Sequence, residues 1–155
     1  MHDSPDHHDA ELLLRLYDLR REERLRRARA WLIGKFRATT LEELQQVCPV
    51  NSEEHAYFRM TVTYWDMAAS LVNHGLIQEQ FFFESTGEFW SVWEKTRLVI
   101  PLLRASYKDL HAYENLEKLA LKYEKWMAGR SPEALEARRQ RLSATAGPPS
   151  SPSSR

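Results

Sequence analysis

The chain has 155 residues, 43% of them hydrophobic, with 22 basic and 22 acidic side chains and a net charge of zero. That is enough apolar material for one packed domain, and the balanced charge excludes a protein whose whole surface attracts nucleic acid or anionic membrane. A single cysteine, Cys48, excludes an internal disulfide. No signal peptide is visible, and apolar runs such as Leu98 to Leu103 fall far short of the roughly 20 residues a membrane helix needs, so a soluble cytoplasmic protein is expected.

Residues 1–8 are polar and read as a flexible N-terminus. From Asp9 a long helix is predicted to about Phe36, because Leu12, Leu16 and Leu19, then Leu25, Ala28, Leu32 and Phe36, recur at helical spacing. Its middle, Arg20 to Arg29, is almost wholly charged and reads as an exposed connector or a bend. Thr40 followed by Glu43 is a capping-box pattern that opens a short helix to about Val47, stopped by Pro49. Asn51 as N-cap, with Glu54 at the third helical position, opens the most informative helix, and Gly75 closes it. Tyr57, Thr61, Tyr64, Trp65, Ala68, Leu71 and Val72 form its apolar side; Arg59, Thr63, Asp66, Ser70 and Asn73 form a polar stripe. A helix apolar around so much of its circumference has to sit inside a bundle.

A second short helix is predicted over Gln78 to Ser85, and a long one over Glu88 to Tyr107 with a kink near Arg97–Pro101. The next helix starts near Asp109 and is expected to stop at Gly129, with Leu116, Ala120, Tyr123 and Met127 on one face. Ser131-Pro132 reads as N-cap and first-turn proline of a last, weakly apolar helix to about Leu142. The fold class is all-α: an irregular helical bundle of five to seven helices with a long N-terminal helix. Residues 9–129 form the domain, 130–142 a peripheral helix and 143–155 a disordered tail.

Charge is distributed in blocks. Residues 1–19 carry a net −4, residues 20–37 a net +6, residues 38–104 a net −5 and residues 105–155 a net +3. The basic block holds Arg20, Arg21, Arg24, Arg26, Arg27 and Arg29, guanidinium groups that can grip phosphates or an acidic partner. The plainer reading is a solvated helix held by Glu22–Arg26 and Glu23–Arg27 pairs, each worth ~0.3 kcal/mol. No aromatic residue interleaves the arginines. Thr40–Gly75 superficially suggests a helix-turn-helix, but Tyr57, Phe58, Tyr64 and Trp65 demand burial where a recognition helix needs polar side chains.

Ten of the 17 aromatics fall between Tyr57 and Trp93. Phe81, Phe82 and Phe83 cannot all point one way, so either their helix is wedged between others or one Phe projects as an interface anchor. Tyr64, Trp65, Trp90 and Trp93 near Asp66 make a candidate pocket; a buried Asp66 would need a base such as Arg59, Arg97 or Arg104. No metal or cofactor is expected, since His2, His7 and His8 with Asp3, Asp6 and Asp9 lie on a flexible tail and no metal motif occurs. GxSxG and phosphate-cradling glycine loops are missing, and Cys48 reads as a small apolar contact.

The run from Asp9 to Glu23, then Ala56-Tyr57-Phe58-Arg59-Met60, Tyr64-Trp65-Asp66-Met67-Ala68-Ala69 and Val72-Asn73-His74-Gly75-Leu76-Ile77, resembles a family of small uncharacterised bacterial proteins. The resemblance covers about residues 9–105 and implies a helical, cytoplasmic protein of unknown function, with no catalytic or binding residues.

The reading that follows is a non-enzymatic protein–protein interaction module, whose partner is a second copy or another protein and which has no membrane role. Its contact surface combines the first helix, with Arg20, Arg24, Arg26, Arg27 and Arg29, and the turn Phe81, Phe82 and Phe83. Two alternatives stand beside it: a nucleic-acid contact through the Arg20–Arg29 face, and a small-molecule binder using the aromatic pocket near Asp66.

Overall fold

A computed structural model of the chain describes residues 3–144. The described residues form helices only, in the order α1 (His7–Arg20), α2 (Glu23–Lys35), α3 (Leu41–Val47), α4 (Glu53–Asn73), α5 (Glu79–Ser85), α6 (Glu88–Thr96), α7 (Ile100–Tyr107), α8 (Glu114–Arg130) and α9 (Ala134–Ala144). The all-α bundle is as expected. It has nine helices rather than five to seven among the described residues, because two expected long helices are each broken once.

The first break falls in the charged middle of the N-terminal segment. Glu22 does not pair with Arg26. Its carboxylate accepts the backbone N–H groups of Arg24 and Leu25 and so caps a new helix, α2, ending the long helix at Arg20. Those two hydrogen bonds hold the Glu22 carboxyl below its usual range. The second break falls where the kink is predicted. Pro101 has no N–H to give, so it sits in the first turn of a separate helix after the turn at Arg97–Val99.

α4 is the axis of the bundle. Val62, Ala68 and Ala69 are small and fully covered, so α2 packs close on one side and α8 on the other. Leu25, Ala28 and Leu32 supply the buried stripe of α2; Leu116, Leu119, Ala120 and Tyr123 supply that of α8. Phe89 of α6 fills the centre, its ring 5.1 Å from Tyr123, 5.4 Å from Phe82, 6.0 Å from Phe83 and 6.4 Å from Trp65.

Several boundaries differ from expectation for local reasons. α1 begins at His7, inside the segment read as flexible, because Asp6 and Asp9 form a reciprocal capping box. Ser52, not Asn51, caps α4; Asn51 takes the left-handed conformation (φ 69°) in the turn leaving Pro49. Gly75 adopts φ 77° and closes α4 as expected. α8 starts at Glu114 rather than Asp109, which caps a short turn by accepting the His111 N–H. Nor does Gly129 stop α8, which runs to Arg130 just ahead of Pro132. α9 starts two residues late, at Ala134, and reaches Ala144; the rest of the expected tail lies outside the described residues.

Because Phe89 touches four other rings, Phe89→Ala should cost about 3–5 kcal/mol in urea unfolding, and Phe89→Leu clearly less. A loss below about 1 kcal/mol for the alanine variant would mean that the aromatic centre is not packed as described.

Candidate functional site

The expected aromatic pocket does not assemble. Asp66 points away from it: Oδ1 accepts the Leu116 N–H at 3.0 Å, in the first turn of α8. α8 needs this help, because Tyr113 at its N-cap is left-handed and offers no side-chain acceptor. Of the three arginines expected as partners, Arg97 lies 3.5 Å from Glu94 and Arg104 is also engaged elsewhere. Arg104 Nη1 lies 3.1 Å from Glu117 and its Nε donates to the Ala112 carbonyl. Burial raises the Asp66 carboxyl above the usual aspartate range, opposed by the amide hydrogen bonds it accepts.

Trp90 and Trp93 are buried on α6, and Trp90 Nε1 donates to Glu124 at 3.0 Å. Of the expected set, Tyr64 and Trp65 line a cleft that lies under α1. It is lined by Leu13, Leu14, Leu16, Tyr17, Arg20, Tyr64, Trp65, Phe82, Ser85 and Thr86, and has a volume of about 130 Å³. Three tethers fix α1 over it. The Tyr64 hydroxyl donates to the Leu16 carbonyl and ties α1 to α4; burial pushes this phenol up to about 12, so it remains a donor at neutral pH. The fully buried Asp9 accepts the Gln78 N–H at 2.6 Å and ties α1 to the start of α5. Arg20 Nη1 reaches Thr86 Oγ1 at 3.3 Å, at the end of α5.

α1 thus buries few side chains of its own. Leu16 is covered, whereas Leu19, expected in the core, is 54% exposed, and Leu14 and Tyr17 at the lip are 64% and 47% exposed. Guanidinium groups flank the lip: Arg20 lies 4.8 Å and Arg21 5.6 Å from the Tyr17 ring centre.

The basic block is divided between interior and surface. Arg29 makes a two-pronged contact with Glu88 at 2.7 and 3.1 Å and donates to the Arg20 carbonyl, locking α2 to α6. Arg27 pairs with Glu23 as expected, while Arg24 and Arg26 are exposed, with no ion pair among the described residues. The Phe turn proves to be wedged rather than projecting. Phe82 and Phe83 are buried against Phe89, and Phe81 packs partly buried against the core.

Nothing in the described residues gathers three potential metal ligands, and no helix there is long and apolar enough to cross a membrane. The Cys48 thiol is buried, donates to the Leu44 carbonyl and is pushed up to about 11 by burial, so it stays protonated.

Fold and site together define an all-α domain with an aromatic core, carboxylates reaching across it to cap other helices, and an apolar cleft under its first helix. The chain belongs to the family described as Domain of unknown function (DUF4760), matched over residues 5–126. That span is wider than the 9–105 over which the resemblance shows in the sequence. No curated protein and no solved structure matches it.

Asp66→Ala should lower stability by about 1 kcal/mol through loss of the cap on α8, and Asp66→Asn, which keeps an acceptor, by less. The raised native pKa fixes the sign of the pH effect. Protons bind the folded state more tightly, so wild type should gain stability relative to Asp66→Asn as pH falls through the range just above the ordinary aspartate value. Paired thermal melts across that range check both, and a gain as pH rises would contradict the assigned burial.

Proposed function

We propose that the chain is a non-enzymatic protein-interaction module whose contact face is the lip of α1 and the cleft beneath it. The observation that supports this best is the combination at one place of an apolar floor, an exposed apolar lip and a cationic rim. Leu16, Trp65 and Phe82 make the floor, Leu14 and Tyr17 the lip, and Arg20 with Arg21 the rim. At about 130 Å³ the cleft suits one branched or aromatic side chain, the scale of the roughly 150 Å³ cavity known to take up benzene. The fitting partner is an amphipathic segment that places such an anchor beside a carboxylate. A reducing compartment suits the reading, because the lone thiol is buried.

A nucleic-acid contact through the basic block has less support, since Arg20 and Arg29 are spent on contacts within the fold. The aromatic small-molecule site near Asp66 loses its motivation, since Asp66 caps α8.

A photo-crosslinking residue placed at Leu14 or Tyr17 should capture the same partner from native lysate, while one at the exposed Glu42 captures none of it. Arg21→Glu should reduce the capture, and Leu14→Asp should abolish it while changing stability by no more than about 0.5 kcal/mol. Equal capture from all three positions, or none from any, would refute this face as the contact.

A further inference from the structure

α9 is held in an unusual way for a terminal helix. Leu135 and Leu142 are its buried residues, the rest is alanine and polar side chains, and it packs on α6 and α8. Arg37 donates to the Ser143 carbonyl near its end, and two consecutive arginines of its own supply the remaining polar contacts. The guanidinium carbons of Arg138 and Arg139 lie 5.5 and 5.3 Å from the Trp90 ring centre, and that of Arg138 lies 5.9 Å from the Tyr123 ring. Arg138 Nη1 donates to the Gly87 carbonyl at 3.2 Å. Arg139 Nε lies 3.3 Å from Glu94, and its Nη2 lies 3.6 Å from Glu124. Glu124 also accepts from Trp90 Nε1, so this carboxylate fixes the ring against which the arginines rest.

The seat is shaped for this cargo. A Cβ at position 87 would lie 2.6 Å from both Arg138 Nη1 and Tyr123 Oη, so a larger residue there would displace the guanidinium or the phenol. Every residue of the seat falls inside the family match of 5–126, whereas the occupant, Ala134–Ala144, falls outside it.

We propose that the groove of Trp90, Tyr123, Glu94 and Glu124 is a docking site for a helix carrying two consecutive arginines, and that α9 occupies it in cis in competition with such a partner. This site is separate from the α1 cleft and takes a ligand of opposite charge. Its contacts are cation–π and partly exposed ion pairs, with two leucines beneath, a combination that added salt weakens. An occupant of this kind is displaceable, which a large apolar interface would not be.

The test uses the full chain and a fluorescent peptide of residues 131–144. Arg138→Glu with Arg139→Glu should free the seat, leaving the helical circular dichroism of the domain intact, and this variant should bind the peptide. Wild type should bind at least about tenfold more weakly, because its own α9 competes at high effective concentration. Affinity should fall as salt is raised, and a peptide with both arginines replaced by alanine should not bind. Should the glutamate pair fail to fold, Arg138→Gln with Arg139→Gln makes the same comparison without reversing charge. A concentration-dependent dimer of wild type, lost in the Gln pair, would identify α9 of a second copy as a competent partner and support the site. A folded variant that ignores the peptide, equal binding by wild type and variant, or undiminished binding of the alanine peptide would each overturn the proposal.

Discussion

The structure depends on the need to cover α4 on nearly every side. A helix carrying Phe58, Val62, Tyr64, Trp65, Ala68, Ala69 and Val72 as buried residues has no single face to hide, so one layer of partners is not enough. α2 and α8 take its two broad flanks, with α5 and α6 between, and the breaks at Glu22 and Pro101 let the chain turn often enough to provide them. The irregularity of the bundle is thus a consequence of its axis. Straight long helices would have left part of α4 in water.

Covering the axis creates a second demand, because short helices leave many unpaired backbone N–H groups near the core. The protein answers with carboxylates that act across the fold as well as locally. Asp66 on α4 serves α8, while Asp9 on α1 serves both its own helix and α5. The Glu88 carboxylate works on a different group, the Arg29 guanidinium, and joins α6 to α2. In such a fold a buried acid has a structural use before it has a chemical one, which is why the most conspicuous ionisable residue of the central helix leads to a helix cap rather than to a pocket.

What the sequence revealed follows the same division. Periodicity marked where helices lie, because burial at three- and four-residue spacing is a local pattern; Gly75 and Thr40 marked their ends for equally local reasons. The hidden features were relations between distant segments. Nothing near Asp66 indicates that an α8 amide lies opposite, and nothing near Asp9 distinguishes a buried staple from an acid on a frayed tail. Phe81–Phe83 had two readings, and only the position of Phe89 decides between them. Arg138 and Arg139 passed as the polar surface of a weak helix, although adjacent arginines in a chain rich in tryptophan were the one available hint of stacking.

The two candidate surfaces meet the same aromatic core from opposite sides in chemical terms. Trp65 floors the α1 cleft, where cations flank an apolar opening, and Tyr123 walls the α9 seat, where carboxylates lie beside ring faces covered by arginine. Phe89 touches both rings, at 6.4 and 5.1 Å, so the sites are joined through one packed side chain. Adjacency of this kind carries a signal only where the joining residue has two arrangements, and Phe89 is fully buried among four rings. The candidate cleft and the candidate groove thus share one close-packed aromatic core, and a change in the Phe89 side chain reaches a wall of each.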